Sequence, residues 1–182
     1  MQRTKKITFC AISIAIGLIL HQFTPSIPFF GITMQCDFSL AILFSLLILV
    51  TRKDYKLSLA VGMCFGIASA LTTKMPMGNI ANLVDKFITT NLIFSFIVFA
   101  SDKIKDDALF LIISFIGTLI SGSVFILTAI TFGAFAIDMY IPLLATVVMP
   151  SMIVNTIQLY LYSLVKLLAL LIFSFLNRYL LY

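Results

Sequence analysis

Apolar residues run along this chain in long blocks, and the alternation at every second residue that marks an outer-membrane barrel strand is not visible. The blocks cover residues 7–20, 38–50, 57–73, 83–100, 108–132 and 140–182. A spanning helix needs roughly 20 residues, so most blocks predict one crossing each. Arg3, Lys5 and Lys6 before the first block give it the look of a signal peptide. No small-residue cleavage site follows, however, and the block runs through His21 and Gln22 into a turn at Pro25 and Pro28, which predicts a retained first helix. The block at 38–50 is short. The last is too long for one crossing; Pro142 and Pro150 are expected to break it early, with its tail along the interface. The pattern predicts an all-α integral membrane protein, a bundle of six transmembrane helices forming a single domain over residues 1–182.

Composition supports this. The chain is 62% hydrophobic and 10% charged, with a mean hydropathy of +1.16. A soluble domain is about half apolar and about a quarter charged, so lipid must be the solvent for most of this surface. A net charge of +5 raises the question of nucleic acid. The basic residues answer it, because they sit in small groups between apolar blocks rather than in a stripe interleaved with aromatics. With six helices and both termini cytoplasmic, Arg3, Lys5, Lys6, Arg52, Lys53, Lys56, Lys103, Lys105, Lys166 and Arg178 fall inside, and only Lys74 and Lys86 outside. That is the positive-inside bias of a multi-pass protein of the cell membrane.

Catalysis finds no support. Cys10, Cys36 and Cys64 form no CxxC pair and have no His at metal-ligand spacing, so no metal or cofactor is expected. GxxxxGK[ST], HExxH and GxSxG are missing from residues 1–182, and His21 is the single histidine. All seven acids are Asp. Asp102, Asp106 and Asp107 share an inner loop with Lys103 and Lys105 and read as solvated.

The outer connections are more informative. Between residues 71 and 91, Pro76 and Gly78 break the helix, and Asn79, Asn82, Asp85, Lys86 and Asn91 follow. Asn82, Asp85 and Lys86 stand at i, i+3 and i+4 and share one helix face. Charges at membrane depth are costly and usually face a cavity. An interfacial cap is an equally good account, with Asn82 as N-cap and Lys86 reaching up to water. Small residues four apart, Ala11 and Ala15, Gly62 and Gly66, Gly66 and Ala70, permit close helix approach; ordinary internal packing is the simpler explanation for each.

From about residue 6 to 99 the chain resembles the substrate-binding S-components of energy-coupling factor (ECF) transporters, and among them the tryptophan transporter TrpP family. The residues carrying the resemblance are Ala11-x-x-x-Ala15, the stretch Met34-Gln-Cys-Asp37-Phe38-Ser-Leu-Ala41, Leu71-Thr-Thr, and most distinctively Pro76-Met-Gly78-Asn79-Ile-Ala-Asn82-Leu-Val-Asp85-Lys86. Met75 and Met77 stand where the family has a Gly-rich loop, and an Ala-Asn pair interrupts the Asn-Ile-x-Asp-Lys block. The resemblance implies a subunit that captures tryptophan in an outward-facing pocket. It further implies docking through helix one, at Ala11 and Ala15, onto a transmembrane coupling protein driven by two ATPase subunits. Tryptophan requires an anion for its ammonium (Asp37 or Asp85) and a donor for its carboxylate (Lys86 or Lys74). It also requires an apolar slot (Phe29, Phe30, Phe38, Phe87) and an acceptor for the indole N–H (Asn155 or Gln158). The implied substrate-binding set is Asp37, Asn79, Asn82, Asp85, Lys86 and Asn155. The chain itself contains no Trp, in keeping with a protein needed when tryptophan is scarce. Two alternatives stand beside this reading: an S-component for another vitamin-like or heterocyclic ligand, and a membrane scaffold without a ligand. A self-sufficient secondary transporter usually carries internal repeats, and none is clear here.

Overall fold

The computed structural model describes residues 3–24, 26–29 and 32–161. Helix α1 (Arg3–Phe23) leads into a two-stranded antiparallel hairpin, β1 (Ser26–Phe29) and β2 (Ile32–Gln35), in the register Ser26 to Gln35 and Phe29 to Ile32. Four helices follow: α2 (Leu40–Leu49), α3 (Tyr55–Thr72), α4 (Gly78–Ala100) and α5 (Asp106–Thr131). A last helical segment, α6, covers Ile137–Leu161. Five of these six, all but α2, are long and apolar enough to cross a membrane. Among the described residues the six expected helical segments are present, with one departure from the all-α reading and the second segment short as expected. The Pro-rich turn is a hairpin, and α2 has only 10 residues, about 15 Å of helix against a hydrocarbon core of about 30 Å.

Helix α2 can be short because protein encloses it. Leu40, Leu43, Phe44, Leu46, Leu47 and Ile48 are all buried and join Val61, Phe65, Ile93, Ile97, Leu109 and Ile113 in the larger core cluster. Association of helices in lipid gains little from the hydrophobic effect and depends on close packing. Glycines supply the closeness. A Cβ on Gly117 would stand 2.6 Å from the Phe44 ring, one on Gly17 2.4 Å from the Phe65 ring, and one on Gly62 2.1 Å from the Thr90 hydroxyl. Gly62 and Gly66 are thus packing residues of the α3–α4 contact.

Two boundaries depart from the sequence reading. Helix α4 starts at Gly78 rather than near residue 83, after Met77 in the left-handed conformation at φ 59°. Asn82 is consequently inside the helix and caps nothing; it donates to the Gly78 carbonyl at 2.9 Å and to the Ser69 carbonyl at 3.4 Å. Pro142 and Pro150 do not end α6. Pro142 sits in its first turns, where a missing N–H costs nothing. A π-helical turn, Leu144–Val148, precedes Pro150, and such a turn widens the ladder as helices do at functional sites.

The two ends of the bundle differ in charge. Arg52, after α2, pairs with Asp106 at the start of α5 at 3.1 Å, so both loops lie at one end. His21, at the end of α1, bonds Thr72 at 2.7 Å and marks the other end. Arg3, Lys5, Lys6, Arg52, Lys53, Lys56, Lys103 and Lys105 gather at the Asp106 end, and Lys74 lies at the opposite one; Lys166 and Arg178 lie outside the described residues.

Gly62→Ala should lower stability by roughly 1–3 kcal/mol, because the stiff Thr90 side chain cannot yield. Cys64→Ala, at an exposed position of the same helix, should leave it unchanged. Thermal unfolding in detergent separates the two.

Candidate functional site

At the Lys74 end, α1, α2, α4, α5 and α6 enclose a cavity of about 60 Å³. Its polar lining comes from His21, Asp37, Asn82, Asp85, Lys86, Thr118, Ser121 and Ser151, and its apolar lining includes Leu40, Met75, Phe125, Ile126, Val147 and Val148. Four of the six residues expected to bind substrate, Asp37, Asn82, Asp85 and Lys86, are brought together here.

Lys86 is the centre of the arrangement. Only 1% of its side chain is exposed, and its Nζ lies 2.5 Å from Asp85 Oδ2 and 2.6 Å from Asp37 Oδ2. An isolated ammonium at this depth would be prohibitively costly; two carboxylates and hydrogen bonds make it tolerable. The lysine stem runs along Gly66, whose notional Cβ would be 3.2 Å from Lys86 Cβ. The carboxylates are held in turn. Asp85 accepts from Thr89 Oγ1 at 2.8 Å and from Ser121 Oγ at 2.8 Å. Asp37, in the loop before α2, accepts from the Ser39 amide at 3.1 Å and the Ser39 hydroxyl at 2.5 Å. Burial alone would raise the Asp37 carboxyl, but the Lys86 ammonium, His21 and the Ser39 hydroxyl outweigh it and hold it at about 2.

Asn155 borders the cavity without lining it. Fully buried, it donates through Nδ2 to the Asp37 carbonyl at 3.0 Å and to Thr118 Oγ1 at 3.3 Å. Among the described residues its Oδ1 is a buried acceptor that receives no hydrogen bond, and so is Gln158 Oε1 one turn on. A buried polar atom left so costs about 1–3 kcal/mol.

Asn79 does not join this group. It is exposed, and its Oδ1 accepts from the Ile80 amide at 2.9 Å. The reason is the early start of α4: Asn79 shares a face with Lys86 but stands about 10 Å nearer the helix end. Lys74 is exposed and outside the lining, Phe87 is exposed on the outer face of α4, and Phe38 packs at the half-buried edge of the second core cluster. The Phe29 side chain and Phe30 lie outside the described residues. Phe125 is the aromatic residue of the cavity wall, and Thr118, Ser121 and Phe125 were not anticipated. Their signal is present: Thr118, Ser121, Gly122 and Phe125 stand at i, i+3, i+4 and i+7 in an otherwise apolar helix.

Residues 3–169 match the tryptophan transporter TrpP family. The chain belongs to the TrpP family. Relatives within it bear the name probable tryptophan transport protein. That of Clostridium perfringens (strain 13 / Type A) is 38% identical over 173 residues, 90% of this chain and 92% of the relative. That of Clostridium acetobutylicum is 37% identical over 153 residues (84% and 86%), and that of Bacillus subtilis (strain 168) is 36% identical over 161 residues (86% and 87%). No solved structure matches. As a TrpP-family chain with five helices able to span a bilayer, it is a multi-pass membrane protein of a transport family.

Lys86→Met strands two carboxylates and should cost about 3–5 kcal/mol of stability. Adding Asp85→Asn should recover part of that loss, and a double-mutant cycle on thermal unfolding reads the coupling.

Proposed function

We propose that this chain is the tryptophan-specific S-component of an ECF-type importer. The observation that carries the reading is a cavity lined by both buried carboxylate and buried ammonium in a TrpP-family chain. A zwitterionic amino acid needs both charges answered, and away from bulk water each answer is strong. Asp37, Asp85 and Lys86 supply the charges. Phe125, Leu40, Ile126, Val147 and Val148 supply apolar wall for an indole. Asn155 offers the indole N–H an acceptor, since its Oδ1 receives no other bond.

The chain reads as a capture subunit rather than a self-sufficient pump. Residues 1–182 hold no nucleotide-binding motif, so the energy comes from partner ATPases through a coupling protein. Ala11 and Ala15 are exposed on α1. They lie on the face of α1 turned away from α2 and α6, and a helix of a coupling protein can approach closely there. With the basic Asp106 end cytoplasmic, the cavity opens outward, and α2 serves as the short second crossing of six.

The purified chain should bind L-tryptophan saturably and stereoselectively in calorimetric titration. A folded, monodisperse sample that binds none overturns the reading. Asn155→Ala should weaken tryptophan binding about tenfold, the worth of one hydrogen bond to a buried group.

Ala11→Leu with Ala15→Leu should abolish co-purification with the coupling module and tryptophan uptake, while binding by the isolated chain persists. Uptake at full rate by this variant would refute docking through α1.

A further inference from the structure

Resting on the reading of the cavity as an amino-acid site, we infer that substrate enters by exchange: its zwitterion opens the Asp37–Lys86 ion pair, the ammonium taking Asp37 and the carboxylate taking Lys86.

Three observations select these two residues from the candidates. Asp85 is already committed, its Oδ1 to Thr89 and its Oδ2 to Ser121 and Lys86, and it is 1% exposed. Asp37 is the more accessible carboxylate, with 17% of its side chain exposed. It answers to Ser39 on Oδ1 only, and Oδ2, itself buried, is the atom that faces Lys86, so an ammonium takes Oδ2 as the lysine moves off it. Lys74 lies outside the lining, so among the described residues Lys86 is the lysine within reach of a bound carboxylate.

The cavity's size points the same way. At about 60 Å³ it is well below the roughly 300–1,000 Å³ usual for ligand clefts, and Asp37 and Lys86 both line it while paired to each other. In the empty site each charge of the pair thus stands in for one end of the ligand. Asp85 stays with Lys86 throughout, so the ammonium is never left alone. The charge count matters as well. Two carboxylates and one ammonium leave the triad one negative charge in excess, before and after a neutral zwitterion binds. A ligand carrying the carboxylate only must strand a buried charge: indole-3-propionate draws Lys86 away and leaves Asp37 unanswered.

The experiment is calorimetric titration of the full-length chain in detergent with L-tryptophan and indole-3-propionate, for wild type and Asp37→Asn. Wild type should bind L-tryptophan and reject indole-3-propionate by roughly 100-fold or more, the scale of a truncated buried charge pair. In Asp37→Asn, L-tryptophan should weaken about as much, while indole-3-propionate should bind at least tenfold better than it does to wild type, because Lys86 no longer has to leave a carboxylate. Loss of both ligands together in the folded variant overturns the exchange, and so does indole-3-propionate binding to wild type as tightly as L-tryptophan does. Should Asp37→Asn not fold, the wild-type comparison decides alone. Failure of wild type to bind L-tryptophan at all is a different result: it removes the substrate reading on which the exchange rests.

Discussion

A lysine ammonium buried among six helical segments has to be answered by charge, and the architecture of this protein follows from how Lys86 is answered. One partner, Asp85, is its neighbour on α4; the other, Asp37, comes from a loop 49 positions earlier in the chain. Neither carboxylate would hold the ammonium without its own supports. Ser39, Thr89 and Ser121 satisfy carboxylate oxygens, and Asn155 fixes the Asp37 backbone from α6. The result ties α2, α4, α5 and α6 into one polar network inside an apolar bundle. Half-satisfied, such a network would be worse than an apolar core. Here it is nearly complete, and the buried oxygen of Asn155 is the acceptor left over.

The short second helix belongs to the same solution. A full-length α2 would carry Asp37 to the end of the bundle, far from Lys86. By starting at Leu40, α2 lets the loop at 36–39 deliver a carboxylate into the interior. Its apolar residues are then enclosed in the core cluster, with Gly117 of α5 letting Phe44 close in, while Gly17 and Gly62 bring α1 to α3 and α3 to α4 around it. Gly66 does the analogous service for the lysine stem. Packing and electrostatics are linked in this way: removing the close approach of α3 and α4 displaces the charge that the site is built around.

Much of this was legible in the sequence, for identifiable reasons. Apolar blocks reported the long helices because lipid demands length and hydrophobicity from each. The i, i+3, i+4 spacing reported that Asn82, Asp85 and Lys86 share a face, since that depends on one helix alone. What spacing cannot report is which residues of other helices meet that face. Ser121 and Thr118 look like ordinary hydroxyls in a span until α5 is placed beside α4. Asn79 fits the same face as Lys86, and only the start of α4 at Gly78 reveals that it lies too near the mouth. The hairpin after α1 was hidden by its prolines, and the passage of α6 through Pro150 by the π turn that accommodates it.

The most direct measurement is a structure of the chain with L-tryptophan bound. The account predicts the amino acid between Asp37 and Lys86, the two side chains separated beyond their present 2.6 Å and the indole against Phe125. Tryptophan bound elsewhere, with the Asp37–Lys86 pair intact, would contradict it.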